Sequence, residues 1–239
     1  MTSSSEVYIE GTSDDPVVRA RAAVRDVHDR LRAGLATAVR GTPQDGGQRG
    51  PVEFCTGELR RHLAATEQTL YAAASGAAGT RLLVRALRTT AGALDRRIDG
   101  LAGDGDAASV AAGARAVEAI LDVHLTTEET VLLPALADLP GADLPGLVAD
   151  LTTLLEGGRL ETPSVVDVRE IPHGQRHPRI FARYARLAPG EGFVLVNNHD
   201  PKPLRREFEA TQPGTHTWDY VESGPDVWRV RIGRAAVEG

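Results

Sequence analysis

The segment VHLTTEETVLLPAL, residues 123–136, decides the fold of this 239-residue chain. Its apolar residues recur at the three- and four-residue steps of an amphipathic helix. His124 and Glu128 lie four residues apart, so both project from the same inward face. The segment predicts a helix that brings an imidazole and a carboxylate into the core of a helical bundle. The pair is either a metal site or a buried histidine bonded to a polar neighbour.

Three earlier stretches show the same helical period. The first helix is predicted to start at Asp14-Asp15-Pro16, with an acidic cap and proline in its first turn. A second starts at Pro51 after the loop 41–50, a third covers about 80–101, and the fourth runs from about 106 to 133. His28 and His62 occupy inward positions on the first two. Four helices of this length with short connections predict an up-down four-helix bundle.

The pattern changes towards the carboxyl end. Residues 139–146 interrupt the helices, a short helix is predicted at 147–156, and Gly157 to Pro163 reads as the domain boundary. Period-two stretches then alternate with amphipathic ones, including a helix from Pro178 and a final hairpin, in the order β-α-β-α-β-β. The chain is therefore expected to have two domains: an all-α bundle over 14–156 and a small two-layer α+β sandwich over 163–235.

Composition limits the function. The formal net charge is −6, and the acidic excess lies before Pro163, which argues against nucleic acid or an anionic membrane as partner. A single cysteine, Cys55, excludes an internal disulfide and fits a reducing compartment. The sequence shows no secretory leader at its start and no apolar run long enough to span a membrane. A cytoplasmic protein is expected.

Two segments resemble the paired HLxxEExxLxPAL motifs of hemerythrin-like (HHE) cation-binding domains. They are LRRHLAATEQTLYAA, residues 59–73, and the segment 123–136, while VRDVHDRL, residues 24–31, matches that family's lone first-helix histidine. The resemblance covers roughly 14–137. It implies a four-helix bundle with a non-haem di-iron centre that binds dioxygen or related small molecules. By position, the implied ligands are His28, His62, His124 and Glu128.

The chain departs from that family at two positions. Thr66 stands where the family has glutamate, with Glu67 one residue later, and Ala91 stands near the expected third-helix histidine. One residue is about 100° around a helix, so Glu67 would need a π-bulge to reach the centre. The reduced set leaves one ion, two ions or none open. Imidazole and carboxylate suit iron, with zinc or manganese as alternatives.

The second domain resembles an uncharacterised family often fused to hemerythrin-like bundles, with a fold similar to TusA/SirA sulfur carriers. The resemblance rests on DVRE, RHP and the loop NHDPKPL, residues 198–204. The carriers' cysteine is missing here, so sulfur transfer is not implied. Strand-to-helix loops often bind ligands. The two strand-to-helix loops of this domain could form an anion or metal pocket, or their polar and proline residues could serve only to shape the turns. The candidate residues are His173, Arg176, His177, His199, Asp200 and Lys202.

Three functions are compatible with the sequence. The favoured one is a metal-dependent redox or gas-binding protein whose ligand is a small diatomic molecule or oxyanion. The second is an iron-dependent oxidative enzyme acting on a small substrate between the domains, with space near Thr66, Ala91 and Gly92. The third is a binding module whose metal site has decayed. Whether the protein is an enzyme stays open.

Overall fold

The computed structural model describes residues 14–40, 50–103, 106–160 and 164–236. The polar segment 1–13, most of the loop 41–50 and the predicted domain start at 163 lie outside these ranges. Over 14–160 the described elements are helices: α1 Pro16–Arg40, α2 over 51–75, α3 Ala78–Ala102, α4 over 107–137 and α5 Leu144–Leu155. This confirms the predicted helical N-terminal domain. None of the described helices is long and apolar enough to cross a membrane.

Short polar side chains set where these helices begin. The Asp15 carboxylate accepts a hydrogen bond from the Val17 amide at 2.8 Å, which caps α1. Asp106 does the same for α4 through the Ser109 amide at 2.7 Å. That hydrogen bond lowers the pKa of Asp106. The predicted helix starts therefore follow from satisfied backbone donors.

Helices α2 and α4 contain π-helical turns. They span Cys55–Leu59 and Glu67–Tyr71 in α2, and Glu128–Leu132 in α4. A π turn holds one more residue than an α turn, so it shifts which residues share a face beyond it. Two of these turns begin at Glu67 and Glu128, beside the predicted metal ligands.

The bundle core consists of two apolar clusters with a polar layer between them. The first cluster includes Val24, Ala65, Leu70, Val84, Leu87, Leu132 and Leu136, and α5 packs onto it through Leu144, Leu147 and Leu151. The second includes Leu31, Leu35, Leu59, Leu94, Ile98, Leu121 and Leu125. Along their helices, His28, His62 and Glu128 each fall between residues of the two clusters. The polar layer is therefore shielded by apolar side chains on both sides.

The second domain is a mixed sheet with two helices. Within residues 164–236 the elements are β1 Val165–Asp167, α6 His173–Ala185, β2 Gly192–Asn197, α7 Lys202–Thr211, β3 His216–Glu222 and β4 Trp228–Arg234. The strand order is β1-β2-β4-β3, with β1 and β2 parallel and the other pairs antiparallel. This confirms the predicted order β-α-β-α-β-β.

One predicted boundary was wrong. Helix α6 begins at His173, and Pro178, the predicted first residue, lies inside it. A proline at this position removes only the hydrogen bond to the Gly174 carbonyl, in the first turn of the helix. The earlier start places His173 and His177 on one helix face.

The two domains pack against each other through α6. A Cβ on Gly76, at the end of α2, would lie 3.0 Å from the backbone of His177, so the two backbone segments approach closely. Arg81 pairs with Glu207, and Arg186 pairs with Asp150. Helix α6 of the second domain therefore lies against the bundle.

Candidate metal centre

Three side chains from three helices meet in the polar layer of the bundle. His28, His62 and Glu128 are buried, and each offers a donor atom within 4.8 Å of the others. His28 Nε2 lies 3.1 Å from Glu128 Oε2, and His62 Nε2 lies 3.7 Å from the same oxygen. The donor set is two imidazoles and a carboxylate, which suits iron, zinc or manganese.

Several polar atoms of this cluster are buried without a hydrogen-bond partner among the described residues. They are His28 Nε2, His62 Nδ1 and Glu128 Oε2. An unsatisfied buried donor or acceptor costs about 1–3 kcal/mol, more for a charged group. A cation between these side chains would satisfy lone pairs on His28 and Glu128, so the residues present fit a metal ion.

The protonation states also suit a cation. Burial alone would raise the pKa of Glu128, but the nearby imidazoles of His124, His28 and His62 hold that pKa well below its usual value. Burial lowers the pKa of His62, although Glu128 opposes the shift. A carboxylate and a neutral imidazole are the forms that bind metal ions.

Neighbouring side chains orient the imidazoles. His28 Nδ1 lies 2.7 Å from Glu129 Oε1, which also accepts from Arg32 at 2.9 Å. His124 Nδ1 lies 2.8 Å from the Thr90 hydroxyl. Such outer partners fix ring orientation in metal sites. Neither Glu129 nor Thr90 is among the ligands that the sequence predicts.

Tyr71 is the polar residue of the site that the sequence did not predict. Its hydroxyl donates to Glu128 Oε1 and lies 3.0 Å from His124 Nε2. Burial and the nearby Glu128 carboxylate raise the pKa of Tyr71, so the phenol keeps its proton. Tyr71 follows His62 by nine residues, which is the opposite face of an α-helix; the π turn Glu67–Tyr71 brings it inward.

His124 therefore differs from the other predicted ligands. It is buried, with Nε2 3.4 Å from Glu128 Oε1. Its two ring nitrogens face the Tyr71 and Thr90 hydroxyls. His124 lies at the edge of the cluster rather than inside it.

The structure places Glu67 away from the cluster. A π turn begins at Glu67, but the Glu67 carboxylate turns outward and binds Arg88, at 2.6 Å for the shortest contact. Thr66 is buried, with its hydroxyl 3.4 Å from His62 Nε2. Ala91 lines a cleft of about 480 Å³ between α2 and α3. That cleft is also lined by Tyr71, whose hydroxyl contacts Glu128 and His124 in the polar layer.

The six candidates of the second domain separate into two groups. His173, Arg176, His177 and His199 line one cleft of about 480 Å³, which the turn after α2 closes on the bundle side. Asp200 pairs with Lys202 at 3.2 Å and accepts from the Tyr220 hydroxyl at 2.9 Å. The Lys202 side chain is 71% exposed. The lining of the cleft does not include Asp200 or Lys202.

Fold and site together define a helical bundle with a buried histidine–carboxylate cluster that fits a cation, joined to a small mixed α/β domain. Residues 19–136 match the family model of the hemerythrin HHE cation binding domain. Residues 165–234 match the model described as uncharacterized conserved protein (DUF2249). The chain thus contains an HHE domain followed by a DUF2249 domain. No curated protein and no solved structure matches it.

Proposed function

We propose that the HHE domain holds one metal ion, iron by preference, between His28, His62 and Glu128, and uses it to bind a small ligand for sensing or redox work. The observation that carries this proposal is the set of buried polar atoms on these three residues without partners among the described residues. Iron in such a site supplies an open position for dioxygen, nitric oxide or a related molecule. Zinc and manganese fit the same donors.

Tyr71 explains why one ion is proposed rather than two. A second ion would need His124 Nε2 and Glu128 Oε1, and the Tyr71 hydroxyl already contacts both atoms. The phenol therefore occupies the position beside the proposed ion. It also presents a hydroxyl that can donate a hydrogen bond to a ligand or to the Glu128 carboxylate.

The cleft between α2 and α3 supports access by a small ligand. Arg60, Glu67 and Arg88 lie at its rim, and Tyr71 and Ala91 line it as well. The Arg88–Glu67 pair and the Arg60–Asp99 pair compensate much of the charge there. A small neutral molecule or a small oxyanion would meet no large unpaired charge of its own sign.

The second candidate function is an oxidative enzyme, which the same cleft favours because it is large enough for a small organic substrate. Its lining residues all belong to the bundle. The substrate site is therefore proposed within the bundle, which replaces the earlier expectation of a site between the domains. A cytoplasmic location and the absence of nucleic-acid partners stay predictions.

Metal analysis tests these proposals directly. Wild-type protein purified without oxygen and supplied with Fe²⁺ should retain about one ion per chain after desalting, and its absorption spectrum should change with dioxygen or nitric oxide. His62→Ala and Glu128→Gln should lose the ion. His216→Ala, a histidine of the other domain bound to the Gln212 carbonyl, is the control.

The outcomes separate the alternatives. A wild-type protein that folds but holds no metal would support the binding-module function and exclude both metal-dependent ones. If the spectrum of the iron-loaded protein changes with nitric oxide, and the protein consumes neither reductant nor dioxygen, sensing is favoured. Sustained dioxygen consumption dependent on an added small substrate would favour the enzyme.

A further inference from the structure

The second domain brings three histidines to one cleft. His173 and His177 are one turn apart on α6, and His199 follows β2. The His173 and His199 rings stack with centroids 5.0 Å apart. Because β1 and β2 are parallel, the loops after them open at the same edge, where α/β folds bind ligands.

Hydrogen bonds fix the tautomers of two of these rings. His177 Nδ1 lies 2.6 Å from Glu207 Oε2, and His199 Nδ1 lies 2.9 Å from Asn198 Oδ1. Both partners are acceptors, so each Nδ1 carries the proton and each neutral ring keeps a lone pair on Nε2. On His199 that atom lies 3.5 Å from Asn197 Nδ2, a long contact that an ion would replace. A histidine whose other nitrogen donates to a carboxylate or an amide oxygen is arranged as a metal ligand.

We propose that His173, His177 and His199 bind a second, separate metal ion, a divalent transition metal of the zinc class. Three imidazoles with one position left open are an established ligand set for such ions. Glu207 acts as a positioning residue, because it holds the His177 ring with Nε2 free. This site is independent of the one proposed in the bundle.

The charges around the cleft permit a cation. Arg176 opposes a cation, but its guanidinium is already bound by four oxygens, those of Ile171, Asn197, Asn198 and Arg169. Glu207 supplies a negative charge at His177.

Metal binding must gather the three rings. Among the described residues, only the bundle cluster has three donor atoms already within 4.8 Å. His173 and His199 are exposed and can rotate, whereas His177 is held by Glu207. The ion would therefore order two exposed side chains around one fixed ligand.

Zinc titration of the full chain, followed by calorimetry and by Co²⁺ absorption, tests this site. His173→Ala/His199→Ala should bind one ion fewer than wild type and lose the Co²⁺ bands of that site. Both substituted residues are exposed, so the fold should survive. His216→Ala should bind as wild type does, and His62→Ala should lose only the ion of the bundle.

A second pair of variants tests the role of Glu207. Glu207→Gln should weaken this site about 10- to 100-fold, as loss of a histidine-orienting carboxylate does. Arg81→Gln removes the other partner of Glu207 and should leave affinity near that of wild type. Unchanged stoichiometry in His173→Ala/His199→Ala would overturn the proposal, whatever His62→Ala shows. The proposal would also be overturned if inorganic phosphate, but not Zn²⁺, raised the thermal stability of wild type and the histidine substitutions abolished that effect.

Discussion

Tyr71 is the residue that distinguishes this site from a simple cluster of two histidines and a glutamate. Its hydroxyl links Glu128 Oε1 to His124 Nε2, while Glu128 Oε2 faces His28 and His62. One carboxylate thus divides the polar layer into an oxygen that serves a phenol and an oxygen available to a cation. The number of metal ions that the site can hold depends on that division.

Tyr71→Phe tests this hydrogen bond in the metal-free protein. The substitution keeps the ring but leaves Glu128 Oε1 and His124 Nε2 without their hydroxyl partner. The free energy of unfolding should therefore fall by about 1–3 kcal/mol. Calorimetry of chelator-treated protein measures the change. Tyr184→Phe, which loses a 2.7 Å hydrogen bond to the Thr215 carbonyl in the other domain, is the matched control. Wild-type stability in Tyr71→Phe would show that the phenol contributes nothing to the layer.

Thr66→Glu combined with Ala91→His tests which residues limit metal content. Thr66 is buried beside His62, and Ala91 faces the neighbouring cleft, so the new side chains would enter the polar layer. In a background that also carries His173→Ala/His199→Ala, so that the histidine cleft contributes no ion, metal content should rise from one ion to two per chain, measured by elemental analysis. Adding Tyr71→Phe should tighten the second ion, because the competing hydroxyl is gone. If content stays at one in both proteins, these two positions do not limit it.

At the scale of elements, the π turn Glu67–Tyr71 decides which residue of α2 faces the site. From His62, one α turn leads to Thr66, and the wider π turn then leads five residues on to Tyr71. Glu67 lies off this face and binds Arg88. In a regular α-helix of the same sequence, Tyr71 and Thr66 would not lie on the same face one turn apart.

Deleting Gln68 tests whether this turn is an insertion. Removal of one residue converts the π turn to an α turn and leaves Thr66 and Tyr71 on one face, so fold and metal content should be kept. Deleting Arg85, an exposed residue of the regular helix α3, is the control. That deletion rotates the following residues by about 100° and should unfold the bundle. Thermal unfolding compares the two, and equal damage would contradict the insertion.

Much of this arrangement could be predicted from the sequence, because helix periodicity and caps are local. The inward stripes place His28, His62, His124 and Glu128 in the core, where all four are buried. The contribution of Tyr71 depends on a π turn, which the helical period does not reveal. The start of α6 before Pro178 was also missed, because proline is a common first residue of helices.

At the scale of the whole molecule, the second domain closes over one end of the bundle. Helix α6 packs on the end of α2, and Ala182 of α6 contacts the apolar cluster that shields the polar layer. The α2–α3 turn also forms one wall of the histidine cleft. The histidine cleft therefore depends on this short stretch at the end of α2.

Gly76→Ala tests this packing between the domains. The added Cβ would lie 3.0 Å from the His177 carbonyl carbon and oxygen, and the backbone there cannot yield as a flexible side chain can. Overpacking of this kind costs about 1–3 kcal/mol. The domains should separate more readily, which limited proteolysis of the segment between α5 and β1 would detect as faster cleavage.

Gly79→Ala is the matched control, because its Cβ would have no atom within 4 Å among the described residues. Since the polar layer lies deeper in the bundle, metal bound by His28, His62 and Glu128 should remain, while Zn²⁺ affinity at the histidine cleft should fall. Equal cleavage of the two variants would mean that the domains are not held together at this turn.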